Sequence, residues 1–307
     1  MQQKILIIGA GAMGTALGNV LSKNENNQIQ YWDSDSKKIT HNQPFKKLVQ
    51  DAQMIFLCVV SWNIKDVAES LVRYTNDTTL IIALTKGIEQ TTGYFVPRFL
   101  VEYFRSEQIG MLCGPMLAGE LQKGLASKAI IAGSDNLCRT AMDIFKGTRL
   151  YLETTQDTHS VAITSVLKNI YAVAFGIAAA LNMGSNFKGV LTTQALEEMH
   201  YILTQLGGDG SFAYNLAGIG DLVTTGHSPL SRNHAFGERL VKKGERLMAS
   251  EGAISFMPLL NMLGERSRDL ILLKTLESVL VQKNDPVCEF IKIIQNSHKN
   301  NNGKRDF

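Results

Sequence analysis

A glycine-rich loop near the N-terminus has the residue types and the spacing that bind the pyrophosphate of a dinucleotide. The loop stands directly after an apolar run and directly before helix-forming residues, and it reads Gly9-Ala10-Gly11-Ala12-Met13-Gly14. In this pattern the first glycine permits a tight turn, the second lets the pyrophosphate approach the backbone, and the third lets helix and strand pack closely. The N-terminus of the helix then faces the phosphates with partial positive charge. We therefore predict five cofactor-binding residues in this loop: Gly9, Gly11, Ala12, Met13 and Gly14.

An acidic residue predicts how the ribose of that dinucleotide is recognised. Asp33 ends the next apolar run, about 20 residues beyond the loop, which is where this pattern places its ribose-binding acid. Its carboxylate can accept hydrogen bonds from the ribose hydroxyls of NAD and would repel the 2′-phosphate of NADP. The next residue, Ser34, would tolerate that phosphate. NAD and NADP therefore both remain candidate cofactors, with NAD favoured.

The elements that must position this loop alternate between strands and helices. Short apolar, often β-branched runs predict seven strands, at residues 4–8, 28–32, 54–60, 79–84, 109–113, 129–132 and 149–152. Stretches of helical composition separate most of them, at 64–74, 93–104 and 136–145. Repeated strand, helix, strand units form a parallel sheet with helices on both faces. The predicted fold class is therefore α/β, with an N-terminal doubly wound parallel sheet of the Rossmann type.

The second half of the chain is predicted to be helical throughout. Helical patterns, several with apolar residues spaced by three and four, occupy residues 158–181, 189–206, 232–243, 257–263 and 270–282. We predict three parts: a dinucleotide-binding Rossmann domain at 1–153, a helical substrate domain at 154–295 and a flexible tail at 296–307. A ligand is expected in the cleft between the two domains.

The composition excludes several classes of protein. The net charge of +3 is too small for a nucleic-acid-binding surface, and 45% hydrophobic residues describe an ordinary globular chain. The four cysteines and six histidines are scattered, so neither disulfides nor a metal site is expected. The apolar stretch 170–181 is too short to cross a bilayer and predicts a buried helix. We expect a soluble cytoplasmic protein with no nucleic-acid partner and no membrane insertion.

Five further segments follow predicted strands or lie at predicted helices: Lys86-Gly87-Ile88-Glu89, Gly114-Pro115-Met116-Leu117-Ala118-Gly119-Glu120, Lys168-Asn169, Gly218-Ile219-Gly220-Asp221-Leu222 with Thr225, and Ser231-Arg232-Asn233. In this order and spacing they resemble the bacterial, soluble type of NAD(P)-dependent glycerol-3-phosphate dehydrogenase. The stretch LAGIGDLVTTGHSPLSRN is the most specific part, and the resemblance runs from the glycine loop to about Glu251. It implies hydride transfer between NAD(P)H and dihydroxyacetone phosphate to give sn-glycerol 3-phosphate, which supplies glycerophospholipid synthesis.

The resemblance also implies roles for individual residues. By position, the catalytic group is Lys168 together with Lys86 and Asp221. The residues implied to lie at the phosphate substrate are Gly114, Met116, Thr225, Ser231, Arg232 and Asn233. Besides the glycine loop and Asp33, the residues implied to lie at the cofactor are Lys86, Ala118, Arg232 and Glu251.

The chemistry of the implied reaction suits these residue types. Hydride transfer to a ketone leaves an alkoxide that needs a proton. A lysine ammonium can polarise the carbonyl and donate that proton if burial and a second cation lower its pKa. Lys168 is read as the start of an apolar helix, and Lys86 is the candidate second cation. Asp221 would hold the lysine in place, and Arg232 would offer a planar fork to the phosphate.

The sequence departs from the family at several points, so alternatives stay open. Met116 stands where the family has serine, Met13 replaces an aromatic residue, and the stretch between Asp35 and Asp51 is shorter. One alternative is a related two-domain reductase of a small hydroxy or keto acid, such as a ketopantoate reductase. Another is a catalytically silent NAD-binding paralogue. Asp221 is also a candidate N-cap residue of a helix. The apolar helices of the second half could form the interface of a homodimer or belong to the core of a single chain.

Overall fold

The computed structural model describes residues 2–39, 43–245 and 250–296 of the 307-residue chain. Most of the predicted flexible tail, residues 297–307, lies outside the described residues. Its first residue, Asn296, is instead the last residue of a helix.

The N-terminal half forms a seven-stranded sheet with the strand order β2-β1-β3-β4-β5-β6-β7. The strands are β1 (Gln3–Ile8), β2 (Asn27–Trp32), β3 (Met54–Leu57), β4 (Leu80–Ala83), β5 (Ile109–Cys113), β6 (Ser127–Ala132) and β7 (Leu150–Thr155). All seven predicted strands are present, and the predicted Rossmann-type class is confirmed. The predicted boundary between residues 153 and 154 falls inside β7, and the division into domains at that point stays a prediction.

The orientation of the last two strands corrects the expectation of a wholly parallel sheet. The pairs from β2 through β5 are parallel, but β6 is antiparallel to β5 and parallel to β7. The reason lies in the connection from β5 to β6, which contains only the five-residue helix Ala118–Gln122. The 13 residues of this connection, 114–126, would be just enough for a parallel crossover, but such a crossover usually contains a helix that runs back along the sheet, and five helical residues span only about 7.5 Å.

Helices cover both faces of the sheet because successive strand residues point to opposite sides. Ile5 and Ile7 of β1 belong to one buried cluster, while Leu6 and Ile8 belong to another on the opposite face. The helices of this half are α1 (Ala12–Leu21), α2 (Phe45–Asp51), α3 (Ile64–Leu71), α4 (Val96–Leu100), α5 (Ala118–Gln122) and α6 (Asp135–Phe145).

The C-terminal half is helical, as predicted. Its helices are α7 (Thr158–Ala180), α8 (Gly184–Gln205), α9 (Asp221–Gly226), α10 (Arg232–Lys243), α11 (Glu251–Leu263), α12 (Ile271–Leu280) and α13 (Pro286–Asn296). The predicted start of α11 at residue 257 is wrong, because Ser250 caps the helix by accepting a hydrogen bond from the Ala253 amide. The last helix, α13, was not predicted.

Helix α7 is the central element of this half. It is long and apolar enough to cross a membrane by length and composition alone, but its apolar window is wholly buried inside the protein. The prediction of a buried helix over 170–181 is therefore confirmed. Helices α8, α9, α10 and α11 all contact it. Because α7 also contacts α4 and β5 in the other half, it links the sheet to the helical part.

Two glycines allow α7 and α10 to approach each other closely. A Cβ atom on Gly176 would lie 2.0 Å from the carbonyl oxygen of His234. A Cβ atom on Gly237 would lie 2.2 Å from the carbonyl oxygen of Val173. Any larger residue at either position must therefore push the two helices apart.

We expect Gly176→Ala to lower the free energy of unfolding by at least about 2 kcal/mol, since its methyl group meets a fixed backbone carbonyl. Gly189→Ala in α8 is the matched control, because nothing lies within 4 Å of its Cβ position. Alanine is the better helix former, so this control should gain up to about 1 kcal/mol. Urea denaturation of the two variants measures both effects, and equal stability would contradict the close-contact interpretation.

Candidate active site

A cleft of about 660 Å³ lies at the carboxyl ends of the strands, between the sheet and helices α7, α9, α10 and α11. Ligands of open α/β sheets bind at this edge. Fourteen of the predicted site residues line the cleft: Gly9, Gly11, Ala12, Met13, Asp33, Lys86, Met116, Lys168, Asp221, Thr225, Ser231, Arg232, Asn233 and Glu251. Three others, Gly14, Gly114 and Ala118, do not line it.

The glycine loop has the shape of a phosphate cradle. Gly9 has a φ of +99°, and a Cβ atom there would lie 2.6 Å from the carbonyl oxygen of Cys58. A Cβ atom on Gly14 would lie 1.9 Å from the carbonyl oxygen of Gly9, so Gly14 serves the close packing of α1 on β1. Nothing lies within 4 Å of the Cβ position of Gly11, which caps α1 and opens onto the cleft. The backbone therefore fits a dinucleotide pyrophosphate at the N-terminus of α1.

The carboxylate of Asp33 is held in place at the end of the cleft where the ribose is predicted to bind. Its Oδ2 accepts a hydrogen bond from the Ala10 amide at 2.8 Å, and its Oδ1 accepts one from the Asp35 amide at 2.9 Å. Lys38, which the sequence analysis did not single out, lies 3.4 Å from Oδ1. The predicted acid is thus fixed beside the glycine loop and cannot turn outward without losing two backbone hydrogen bonds.

Aromatic side chains form the same end of the cleft and were also missed. The rings of Trp32 and Phe45 lie 4.7 Å apart between centroids, and Trp62 lines the cleft from the segment after β3. The sequence signal that could have predicted this surface is Trp32, an aromatic residue at the end of the second strand. Such rings offer a flat apolar surface for a nucleotide base.

One carboxylate joins two lysines at the centre of the cleft. Asp221 Oδ2 lies 2.6 Å from Lys86 Nζ, and Asp221 Oδ1 lies 3.1 Å from Lys168 Nζ. Thr225, one turn along α9, accepts a hydrogen bond from Lys168 Nζ at 2.9 Å and donates one to Asp221 Oδ1 at 2.9 Å. Asp221 is the first residue of α9, and its carboxylate is engaged by these groups. The N-cap position of α9 belongs to Gly220.

Lys168 lies in the middle of α7 and not at the start of a helix. Its side chain is only 6% exposed, although it reaches the wall of the cleft. The predicted helix over 158–181 is confirmed, since α7 starts at Thr158 and is capped by Asp157, but the interpretation of Lys168 as the start of the apolar helix is wrong. The burial that the chemistry requires therefore comes from helices packed around α7.

Electrostatics distinguishes the two lysines. Burial is the largest influence on Lys168 and, with the charge of Lys86, lowers its pKa to about 8 despite the attraction of Asp221. Burial also opposes the charge of Lys86, but its short ion pair with Asp221 outweighs this and raises its pKa. Burial alone would raise the pKa of Asp221, but the two lysines hold it below its usual value. The cluster therefore contains one permanent cation, one carboxylate and one lysine that titrates near pH 8.

Cys113 is a member of this cluster that sequence reasoning missed. The sequence analysis treated it only as one of four scattered cysteines, yet its Sγ donates to Asp221 Oδ2 at 3.8 Å. Burial raises the pKa of the thiol, so it remains protonated and able to donate. The sequence signal that could have predicted its place in the cluster is its position at the end of β5, directly before Gly114.

The residues near α10 are connected to one another by hydrogen bonds. Asn233 donates from Nδ2 to Asn169 Oδ1 at 2.8 Å and accepts at Oδ1 from the Gly252 amide at 2.9 Å. Ser231 caps α10 by accepting from the His234 amide. Arg232 is exposed, and its side chain lines the cleft. The exposed guanidinium is therefore the group here that is best placed to meet an anionic ligand.

Glu251 connects the helical half to the sheet. Its Oε1 accepts a hydrogen bond from the Ser61 amide at 2.8 Å, just after β3. Among the described residues, neither its Oε2 nor the Ser61 hydroxyl has a hydrogen-bond partner, and both atoms are buried. Burial raises the pKa of this carboxyl. Two unpartnered polar atoms at the cleft wall are suited to hold a polar group of a ligand.

The other two predicted residues outside the cleft support its wall. Gly114 has a φ of +136°, and a Cβ atom there would lie 3.1 Å from Ala129 Cα, so it serves the turn after β5. Ala118 opens α5 and packs against the buried cluster on one face of the sheet. Within residues 2–39, 43–245 and 250–296, no group of three or more histidine, cysteine or acidic side chains is placed to hold a metal ion.

A Rossmann sheet with a pyrophosphate cradle, joined to a helical half with a buried lysine–carboxylate cluster, defines the class of two-domain NAD(P)-dependent dehydrogenases. Within that class, residues 35–138 match the N-terminal model and residues 157–290 the C-terminal model of NAD-dependent glycerol-3-phosphate dehydrogenase. The chain is 30% identical over 320 residues to glycerol-3-phosphate dehydrogenase [NAD(P)+] of Pseudomonas aeruginosa, covering 97% of this chain and 89% of the relative. The chain therefore belongs to the NAD-dependent glycerol-3-phosphate dehydrogenase family.

Solved structures agree on the fold. The structure of glycerol-3-phosphate dehydrogenase from Coxiella burnetii has a TM-score of 0.86 at 24% identity, covering 96% of this chain and 99% of that one. Ketopantoate reductase from Staphylococcus aureus has a TM-score of 0.54 at 12% identity, covering 93% and 99% of the two chains. That second likeness shows only a shared architecture. The two family models and the curated relative confirm the family resemblance and do not support the alternative reductase family.

We expect Gly9→Ala to raise the dissociation constant for NADH at least about tenfold, because a side chain at this φ strains the loop and its Cβ meets the Cys58 carbonyl. Gly119→Ala is the matched control, with nothing within 4 Å of its Cβ position. Quenching of tryptophan fluorescence by NADH measures the binding. Equal affinities in the two variants would mean that the loop does not hold the cofactor.

Proposed function

We propose that this chain reduces dihydroxyacetone phosphate to sn-glycerol 3-phosphate with NADH or NADPH, and that Lys168 donates the proton. The observation that carries this proposal is the buried Lys168, held by Asp221 and Thr225 at the wall of the dinucleotide cleft. The substrate and the reaction follow from membership of the family. The product, sn-glycerol 3-phosphate, is used in glycerophospholipid synthesis.

The cluster has the charges that a ketone reduction requires. Bound NADH supplies the hydride, which leaves negative charge on the former carbonyl oxygen. Lys168 donates a proton from Nζ to that oxygen, and a pKa of about 8 makes it an effective acid near neutral pH. Asp221 stays ionised and orients Lys168, while Lys86 keeps its charge and stabilises the developing oxyanion.

The phosphate group of the substrate is assigned to the α10 side of the cleft. Arg232 offers a planar, permanently charged fork that can form two parallel hydrogen bonds to phosphate. Asn233 is largely engaged by Asn169 and the Gly252 amide, so its contribution is to hold α10, α7 and α11 in register. Met116 replaces the serine of the family, but it lies outside the lysine–carboxylate cluster, so proton transfer does not depend on that missing hydroxyl.

The cofactor preference is assigned to Asp33. A carboxylate fixed by two backbone amides faces the ribose and repels a 2′-phosphate, which favours NADH over NADPH.

The cytoplasm is the proposed compartment, and the four cysteines, which are free, support it. A homodimer stays a prediction.

Replacing the proton donor should separate chemistry from binding. Lys168→Met keeps the length and apolar stem of the side chain but removes the ammonium. We expect the turnover number for dihydroxyacetone phosphate to fall by about 10² or more, while the dissociation constant for NADH stays within about threefold of wild type. The measurement is the rate of NADH consumption with dihydroxyacetone phosphate and, in a separate assay, with ketopantoate, which is the substrate of the alternative reductase. No turnover of dihydroxyacetone phosphate by a wild-type protein that binds NADH would instead favour the silent paralogue.

The pH dependence follows from the lowered pKa of Lys168. The protonated lysine is the acid in the reduction, so kcat/KM for dihydroxyacetone phosphate should fall as the pH rises through about 8. In the reverse oxidation the neutral lysine is the base, so kcat/KM for glycerol 3-phosphate should rise through the same range. Steady-state profiles in both directions measure this. Two profiles that move in the same direction above that pH would contradict the assignment.

A further inference from the structure

The ribose end of the cleft contains a positive side chain beside the carboxylate of Asp33. Lys38 lines the cleft together with Asp33 and Ser34. Its Nζ lies 3.4 Å from Asp33 Oδ1 and 4.0 Å from Asp35 Oδ2. The Lys38 side chain is 46% exposed, whereas that of Asp33 is 10% exposed. The ammonium therefore lies on the solvent side of the carboxylate, at the mouth of the cleft.

The two members of this ion pair differ in their freedom to move. Asp33 is fixed by the amides of Ala10 and Asp35, so its oxygens are already hydrogen-bonded without the lysine. The Lys38 ammonium has only two contacts among the described residues, at 3.4 Å to Asp33 and at 4.0 Å to Asp35, and both are long and partly exposed. Exposed pairs of this kind contribute little to stability, so the lysine can exchange its partner at little cost.

A 2′-phosphate on the ribose would meet both charges. The fixed carboxylate repels it, but the phosphate carries more negative charge than a carboxylate and has more oxygens to accept hydrogen bonds. A mobile ammonium at the mouth of the cleft would therefore move from Asp33 to the phosphate. Whether NADPH binds at all then depends on this lysine.

We propose that Lys38 is the residue that allows this chain to bind NADPH in addition to the favoured NADH, by leaving Asp33 and pairing with the 2′-phosphate. The proposal rests on the proposed use of the cleft for a dinucleotide. Without Lys38 the ribose end keeps an uncompensated, fixed carboxylate, and the site becomes specific for NADH. Ser34 is exposed beside it and has a hydroxyl that can donate to the same phosphate.

The neighbouring lysine provides a matched control. Lys37 is exposed, belongs to the same short helical turn at Ser36–Lys38 and does not line the cleft. Lys37→Gln and Lys38→Gln therefore remove the same charge from adjacent positions. A general electrostatic effect acts on both variants alike, whereas direct contact with the phosphate requires Lys38.

The test measures binding of cofactor fragments that cannot transfer hydride. The chain has two tryptophans, Trp32 and Trp62, and both line the cleft, so intrinsic fluorescence reports occupancy directly. Wild type and the two glutamine variants are titrated with 2′,5′-ADP and with ADP. We expect Lys38→Gln to weaken the binding of 2′,5′-ADP at least about tenfold and that of ADP by less than about twofold. Lys37→Gln should leave both affinities near wild type.

Three results would overturn the proposal: equal weakening of both fragments by Lys38→Gln, equal weakening of 2′,5′-ADP by the two variants, or no effect of Lys38→Gln on 2′,5′-ADP. Failure of the proposed function is seen separately, as a wild-type protein that binds both fragments but does not oxidise NADH with dihydroxyacetone phosphate. The two outcomes are therefore distinguishable in one set of proteins.

Discussion

The structure depends on one carboxylate shared by two buried lysines. Asp221 pairs with Lys86 through one oxygen and with Lys168 through the other. One negative charge cannot compensate two positive charges, so the lysine that is more deeply buried gives up its proton more easily. Without the carboxylate, two ammonium groups would face each other away from water, which is strongly unfavourable. The same interaction therefore holds the cleft together and produces an acid suited to neutral pH.

The fold brings these groups together from distant parts of the chain. Lys86 follows β4, whereas Lys168 lies on α7 and Asp221 opens α9. A turn at Leu216–Gly220 delivers Asp221, and Asn215 supports it by accepting from the amides of Ala217 and Gly218. A Cβ atom on Gly218 would lie 2.2 Å from the Ala213 carbonyl oxygen, which is why this turn contains glycine. The specific sequence around Asp221 thus has a structural basis.

Much of the fold was predictable because both faces of the sheet are buried, and such strands are continuous apolar runs. The glycine loop and Asp33 were predictable because their geometry demands particular residues at a fixed spacing. The direction of β6 was not, since apolar runs contain no information about orientation. Cys113 and Lys38 were missed for a related reason: their partners, Asp221 and Asp33, are brought near by folding, and the residue type alone suggests a buried thiol or a solvated charge.

The central claim is that Lys168 is the lysine that titrates near neutral pH, and lysine-selective NMR measures it directly. A pH titration of ¹³Cε-labelled lysine should show one signal with a pKa of about 8, absent from Lys168→Met, while the signal of Lys86 stays protonated across that range. If every lysine signal instead titrates at the ordinary value for an exposed lysine, or if the shifted signal survives in Lys168→Met, the assignment of the proton donor is contradicted.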